Sequence, residues 1–146
     1  MEATAQSTAN KDLADAFFRA VDRLDRATLD EIYHKDFSLD YPGNDTPMDR
    51  DAHWALMNGY HKGFPDMIHR PDVMVAEGDH VFVQGTVTGT NSGPLLGQEP
   101  TGAFTKVRFL NMMTFREGKL LSIFSLIDQA TLQKQLGLKK VLFVAE

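Results

Sequence analysis

The chain has 146 residues, 42% hydrophobic and 24% charged, the composition of one globular domain with its own core rather than of a disordered segment. It contains no cysteine, which excludes disulfide frameworks and thiolate metal sites and points to a reducing compartment, the cytoplasm. The formal net charge is -5 and no Lys/Arg cluster exceeds Lys139-Lys140, so nucleic acid and anionic membrane surfaces are poor candidates as partners.

Residues 1–9 are small and polar and are expected to fray, with no basic or apolar segment of a secretory leader. Asn10 is placed to cap a helix whose apolar positions Leu13, Phe17, Val21 and Leu24 recur at helical spacing. Asp25 caps a second, short helix carrying Leu29, Ile32 and Tyr33. Phe37 to Tyr41 alternates like a strand and stops at Pro42-Gly43, and residues 44–50 form a loop. Asp49 or Asp51 opens a third helix through Trp54, Leu56, Met57 and Tyr60, which ends near Gly63 and before Pro65.

The pattern then changes from helical to alternating. His69 to Glu77 and His80 to Thr90 read as strands joined at the turn Gly78-Asp79. After the Gly/Pro-rich linker from Asn91 to Gly102 comes a long hairpin, Ala103 to Asp128, folded at Arg116-Glu117-Gly118-Lys119. Asp128 caps a last helix, Gln129 to Leu136, stopped by Gly137. The remaining tail, 138–146, is apolar at Val141 to Val144 and is expected to dock on the body or on another subunit. Helices first and consecutive strands afterwards predict an α+β fold, a single domain over 1–146 with helices laid across a bent antiparallel sheet. Such a cone encloses an apolar pocket.

Several short words occur in a fixed order: Phe64-Pro65-Asp66, then Ala76-Glu77-Gly78-Asp79 with Val81 and Val83. Gly89-Thr90 follows with Gly93 and Gly97, then Pro100-Thr101-Gly102, Phe115 to Lys119, Asp128 and Gln135-Leu136-Gly137. In this order and spacing, over roughly residues 12–137, the chain resembles the SnoaL-like polyketide cyclases of the NTF2-like superfamily, a group that also looks like ketosteroid isomerase and scytalone dehydratase. The resemblance implies the NTF2-like cone and cofactor-free chemistry. In the characterised cyclases an Asp on the last strand, assisted by a His on the preceding strand, closes a polyketide ester by an intramolecular aldol step. Those two positions fall on Ser125 and Asn111 here, and neither side chain is a base near neutral pH.

Strand alternation points Asn111 into the cone among Phe109, Met113 and Phe115, as a hydrogen-bond donor to a carbonyl or enolate oxygen or as a self-satisfied buried amide. Ser125, between Ile123 and Ile127, faces Asn111 across the hairpin and either binds a ligand hydroxyl or fills a crowded spot. Asp40 is the expected base, because Leu39 to Gly43 resembles the base-bearing strand end of ketosteroid isomerases. Burial at the mouth of an apolar cone raises a carboxylate's proton affinity. The competing reading is an exposed Asp bonded to the Pro-Gly turn. Asp128 is either a helix cap or a pocket residue, and its parity disagrees with that of Ser125. Tyr41, Trp54, Tyr60 and Met113 are expected to line the substrate cavity. The five histidines show no metal-binding spacing, and neither a metal nor a cofactor is expected.

Two functions follow from this reading. One is a cofactor-independent enzyme that abstracts a proton beside the carbonyl of an apolar, polyketide-like molecule and goes on to cyclise, isomerise or dehydrate it. The other is a binding protein with the same cone and no turnover. In both, an outer sheet face bearing Leu110, Met112, Leu120, Phe124 and Leu126 calls for a second subunit, giving a dimer or larger oligomer.

Overall fold

Thirteen residues of unbroken alternation form the centre of the sheet. From Phe104 to Arg116, Thr105, Val107, Phe109, Asn111, Met113 and Phe115 all turn to one side, where all but their polar members join the core. The computed structural model describes residues 4–138. In chain order they form α1 (Ala5–Asp22), α2 (Arg26–Ile32), β1 (Tyr33–Asp40), α3 (Arg50–Gly63), β2 (Ile68–Glu77), β3 (His80–Thr90), β4 (Phe104–Arg116), β5 (Lys119–Ile127) and α4 (Gln129–Gln135). The five strands make one sheet ordered β1-β5-β4-β3-β2, antiparallel throughout except that β1 runs parallel to β5. Register slips in the β1–β5, β2–β3 and β4–β5 pairings bend the sheet, since an extra residue in one strand locally raises its twist. Helices α1 and α2 bury Phe17, Phe18, Val21 and Leu29 with the inner face of the bent sheet, α3 packs Trp54 and Met57 against them, and the α+β cone results.

Several boundaries differ from the expected ones. Helix α1 starts five residues before Asn10. Thr4 caps it by accepting from the Ser7 amide at 3.0 Å. Gln6 donates to Asp79 in the β2–β3 turn at 2.7 Å, and Asn10 is buried against Gly78. This docking on a distant hairpin supplies the stability that the local sequence lacks. Tyr33 opens β1 instead of closing α2. The caps of α2, α3 and α4 are Asp25, Asp49 and Asp128, each accepting from the amide three residues on. Between β4 and β5, Glu117 and Gly118 both take positive φ, 54° and 71°, as a two-residue hairpin turn requires.

One residue assigned to the outer face belongs inside. The β4–β5 register slips between Thr114 and Phe115, so Phe115 pairs with Leu120, and Leu120 is fully buried. Leu110, Met112, Phe124 and Leu126 do lie outside, each 38–44% exposed. The apolar tail at Val141 to Val144 is outside the described residues. No helix among the described residues is long and apolar enough to cross a membrane.

Candidate functional site

The closing hairpin contributes a polar pair to an otherwise apolar interior. Asn111 and Ser125 are direct cross-strand partners, and both line a cavity of about 100 Å³ enclosed by Phe17 and Phe18 of α1 and Leu56 and Met57 of α3. At roughly 10–15 Å³ for each water position, the space admits several waters or a small organic ring. Asn111 is buried, and its side-chain oxygen has no hydrogen-bond partner among the described residues. An unpaired buried amide costs about 1–3 kcal/mol, which a ligand can relieve. Because a half-turn of the amide exchanges its ends, the same side chain can accept from a hydroxyl or donate to a carbonyl.

A carboxylate-oriented imidazole stands in the same cavity. His69, at the start of β2, pairs with Val87 on the inner side of β3 and lines the cavity with it. Its Nδ1 lies 2.6 Å from Asp22 Oδ1, and its backbone amide donates to both Asp22 oxygens at 3.1 Å. Arg19 holds this arrangement from one turn earlier in α1, donating to the His69 carbonyl and standing 3.5 Å from Asp22 Oδ2. The ring is stacked on Phe18 at 5.7 Å and meets Phe109 edge-on at 5.6 Å. With Asp22 accepting from Nδ1, the neutral ring has its free lone pair on Nε2. This is the geometry of an oriented general base.

His53 is the other cavity imidazole. It lies on α3 in the stripe His53, Leu56, Met57 and Tyr60 that helical periodicity aims at the cavity. Its Nδ1 is 2.6 Å from the Tyr33 hydroxyl, and its ring stacks on Phe17 at 5.8 Å. Burial pushes its pKa down to about 4, with a smaller contribution from His69. Elsewhere in the lining, Tyr41 accepts a hydrogen bond from Gln129 at 2.9 Å. Burial first, and then neighbouring Tyr60, raise the Tyr41 pKa, so it stays a phenol.

The expected site residues therefore separate. Asn111, Ser125, Tyr41 and Tyr60 converge on the cavity. Asp40 does not. Leu39 takes the inward position on β1, and alternation turns Asp40 to the exposed outer face beside Phe124. Its carboxylate is exposed on that face and does not line the cavity. Trp54, one position beyond His53 on α3, falls off the cavity stripe and packs under the Arg26 guanidinium at 5.6 Å. Met113 faces inward, but it is fully buried between Val81 and Ile123 in the solid core and does not reach the cavity. Asp128 is exposed and spent on capping α4, with its oxygens on the Thr131 amide at 3.0 Å and hydroxyl at 2.6 Å. Those bonds, the hydroxyl's foremost, hold its pKa below the usual value.

Asp22, His69 and Tyr33 carry no local signature that marks them as a site. Asp22 and His69 are 47 residues apart and meet only when α1 lies across the sheet. His53 was accessible through its heptad-like partnership with Leu56, Met57 and Tyr60. Among the described residues, no group of three or more His, Cys, Asp or Glu is gathered to hold a metal ion.

Residues 11–136 match the family model described as SnoaL-like polyketide cyclase. Among solved structures, IdmH of Streptomyces antibioticus, a proposed polyketide cyclase, is 28% identical with a TM-score of 0.80, the alignment covering 88% of this chain and 99% of IdmH. AclR of Streptomyces galilaeus, a proposed hydroxylase, is 26% identical with a TM-score of 0.80, covering 90% and 86% of the two chains. A proposed SnoaL-like polyketide cyclase of Jannaschia sp. CCS1 superimposes with a TM-score of 0.84 at 21% identity, over 93% of this chain and 96% of that one, and shares the fold. No curated protein matches the sequence significantly.

Proposed function

Because the chain belongs to the SnoaL-like polyketide cyclase family, we propose that it is a cofactor-independent cytoplasmic enzyme acting on an apolar, polyketide-like carbonyl compound. The reaction is proton abstraction beside the carbonyl, followed by cyclisation, isomerisation or dehydration. The observation that carries this reading is the meeting of an Asp22-oriented imidazole and an unpartnered Asn111 amide in one apolar cavity. His69 Nε2 takes the α-proton, the C–H electron pair becomes the C=C bond of the enolate, and the carbonyl π pair moves to oxygen. Asn111, with its N–H end turned to that oxygen, stabilises the enolate. The proton on Nε2 then returns to carbon or to a departing oxygen. Ser125, Tyr41 and Tyr60 orient the substrate through their hydroxyls. Asp22 fixes the tautomer and supports the imidazolium as it forms.

This assignment replaces the Asp/His pair of the characterised cyclases with groups from α1 and β2. The hairpin polarises, and the base comes from across the cone. The alternative, a binding protein without turnover, draws on the same departure: Asn111 and Ser125 occupy the two positions where the family resemblance expects the acid/base pair. We further propose that a second copy of the chain covers the outer sheet face. Val75, Phe82, Met112 and Phe124 form one continuous cross-strand row there, flanked by Leu110 and Leu126.

Deuterium exchange into the α-positions of 2-tetralone, a small apolar ketone, separates the two functions. The enzyme reading expects exchange well above the buffer rate. His69→Gln should lower it by about 10²–10⁴-fold, the usual worth of a positioned base. Asp22→Asn should retain binding but slow exchange. Binding of 2-tetralone with no protein-accelerated exchange would establish the binding-protein reading instead.

A further inference from the structure

We propose that Tyr33 and His53 form a second hydrogen-bonding site in the cavity, in which His53 is held as the Nε2–H tautomer and donates to the oxygen of the bound carbonyl compound. The inference rests on the carbonyl reading above and adds a partner for Asn111 at the substrate oxygen.

The tautomer follows from counting donors. Tyr33 and His53 are each 3% exposed, and the hydroxyl and Nδ1 are 2.6 Å apart with the bond enclosed in protein. Either the hydroxyl donates to Nδ1 or Nδ1–H donates to the hydroxyl. In the second arrangement the Tyr33 O–H proton would need another acceptor, and none is found among the described residues. A buried hydroxyl proton without an acceptor is costly, so Tyr33 donates and Nδ1 accepts. A neutral imidazole that accepts at Nδ1 carries its hydrogen on Nε2. That nitrogen has no protein partner among the described residues, while the ring lines the cavity.

The surroundings keep the ring neutral. Phe17 stacks on it, Phe37 lies 6.1 Å away, and Tyr33 approaches edge-on. The charged and titratable groups bearing on the pair are few. His69 opposes a positive charge on His53, while Arg26 and Asp30 act on Tyr33 with opposite signs. Among the described residues, no carboxylate bonds to the His53 ring to stabilise an imidazolium, in contrast to Asp22 beside His69. The cavity thus holds two imidazoles in opposite roles. His69 presents a lone pair, and His53 presents a hydrogen. A neutral N–H donor in a dry site polarises a carbonyl without the charge that would favour bound anions or water. Tyr33 is a positioning residue acting through His53.

The tautomer is read by long-range proton–nitrogen correlation spectra of the full chain with labelled histidine. The expected pattern is Nε2–H with an accepting Nδ1 for His53, unchanged from pH 8 to pH 6, and loss of that uniform pattern in Tyr33→Phe. An Nδ1–H or doubly protonated ring at pH 6–8 overturns the proposal. The ligand contact is read with 2-tetralone labelled with carbon-13 at the carbonyl. Its infrared band should fall in wavenumber on binding and recover part of that fall in the Tyr33→Phe/His53→Phe double variant, which leaves no orphaned hydroxyl. Its Kd should weaken about 2- to 12-fold, as for one neutral hydrogen bond. An unchanged band and Kd in a folded double variant overturn the contact. If wild-type protein binds no 2-tetralone, the carbonyl reading of the cavity falls, and the tautomer spectra still decide the state of His53.

Discussion

Replacing Asn111 by leucine should make the free protein more stable while it loses carbonyl binding. The amide is buried with its oxygen unpaired, a state that costs about 1–3 kcal/mol. Leucine has the same number and branching of side-chain heavy atoms, its extra methyl bulk faces the cavity, and it removes that penalty, so stability should rise by about the same amount. At 2–4 °C per kcal/mol for a chain of this size, the melting temperature should climb by about 2–12 °C. Asn91 is the control, because it is equally buried but fully engaged. It donates to the Gly63 and Gly93 carbonyls and accepts from the Thr101 amide and hydroxyl. Four bonds at 0.5–1.5 kcal/mol each put the loss in Asn91→Leu at about 2–6 kcal/mol. Urea denaturation of both variants, alongside titration with 2-tetralone, measures the contrast. An Asn111→Leu protein that is less stable than wild type would refute the claim that this amide is held in reserve for a ligand.

Stability should also fall with acid through His53. Its pKa is near 4 in the folded chain against an ordinary 6.5, so the unfolded chain binds the proton first. The stabilisation is complete above about pH 6.5 and is lost as pH drops towards 4, amounting to about 2–3 kcal/mol between pH 7 and pH 4.5. Denaturant melts across that range should show it, and the Tyr33→Phe/His53→Phe variant should lack it. Gly93→Ala should destabilise by about 1–3 kcal/mol, because its new methyl group would sit 1.9 Å from the Lys62 carbonyl oxygen in rigid backbone. A melting temperature equal to wild type would contradict that packing. Light scattering at micromolar concentration should report at least a dimer, and Met112→Lys/Phe124→Lys should give a monomer that still binds 2-tetralone. A monomeric wild type would leave the outer sheet face without the partner proposed for it.

The parts of this architecture written into local pattern were legible before the structure. Strict alternation through β4 placed Asn111 inward, and the alternation of Ile123, Ser125 and Ile127 set Ser125 facing it across the hairpin. The caps at Asp25, Asp49 and Asp128 follow from short-range side-chain bonds that need only three residues. What escaped was set by tertiary contact. The Asp40 assignment depended on a one-residue choice of strand parity, and Leu39 won the inward place because the core rewards leucine there. Leu120 was misplaced because a bulge resets parity without any glycine or proline to announce it. The first turns of α1 form because the β2–β3 turn receives them. The His69–Asp22 pair needed the whole cone, since no spacing rule links positions 47 residues apart.

The central claim is that His69 and Asn111 act on opposite ends of one carbonyl unit, and a crystal structure of the chain soaked with 2-tetralone tests it most directly. The ketone should lie in the cavity between α3 and the closing hairpin, its oxygen about 3 Å from the Asn111 amide nitrogen. Its α-carbon should lie beside His69 Nε2, with the His69–Asp22 bond intact. A ketone bound in that cavity with its oxygen turned away from Asn111, or with its α-carbon out of reach of His69, would contradict it.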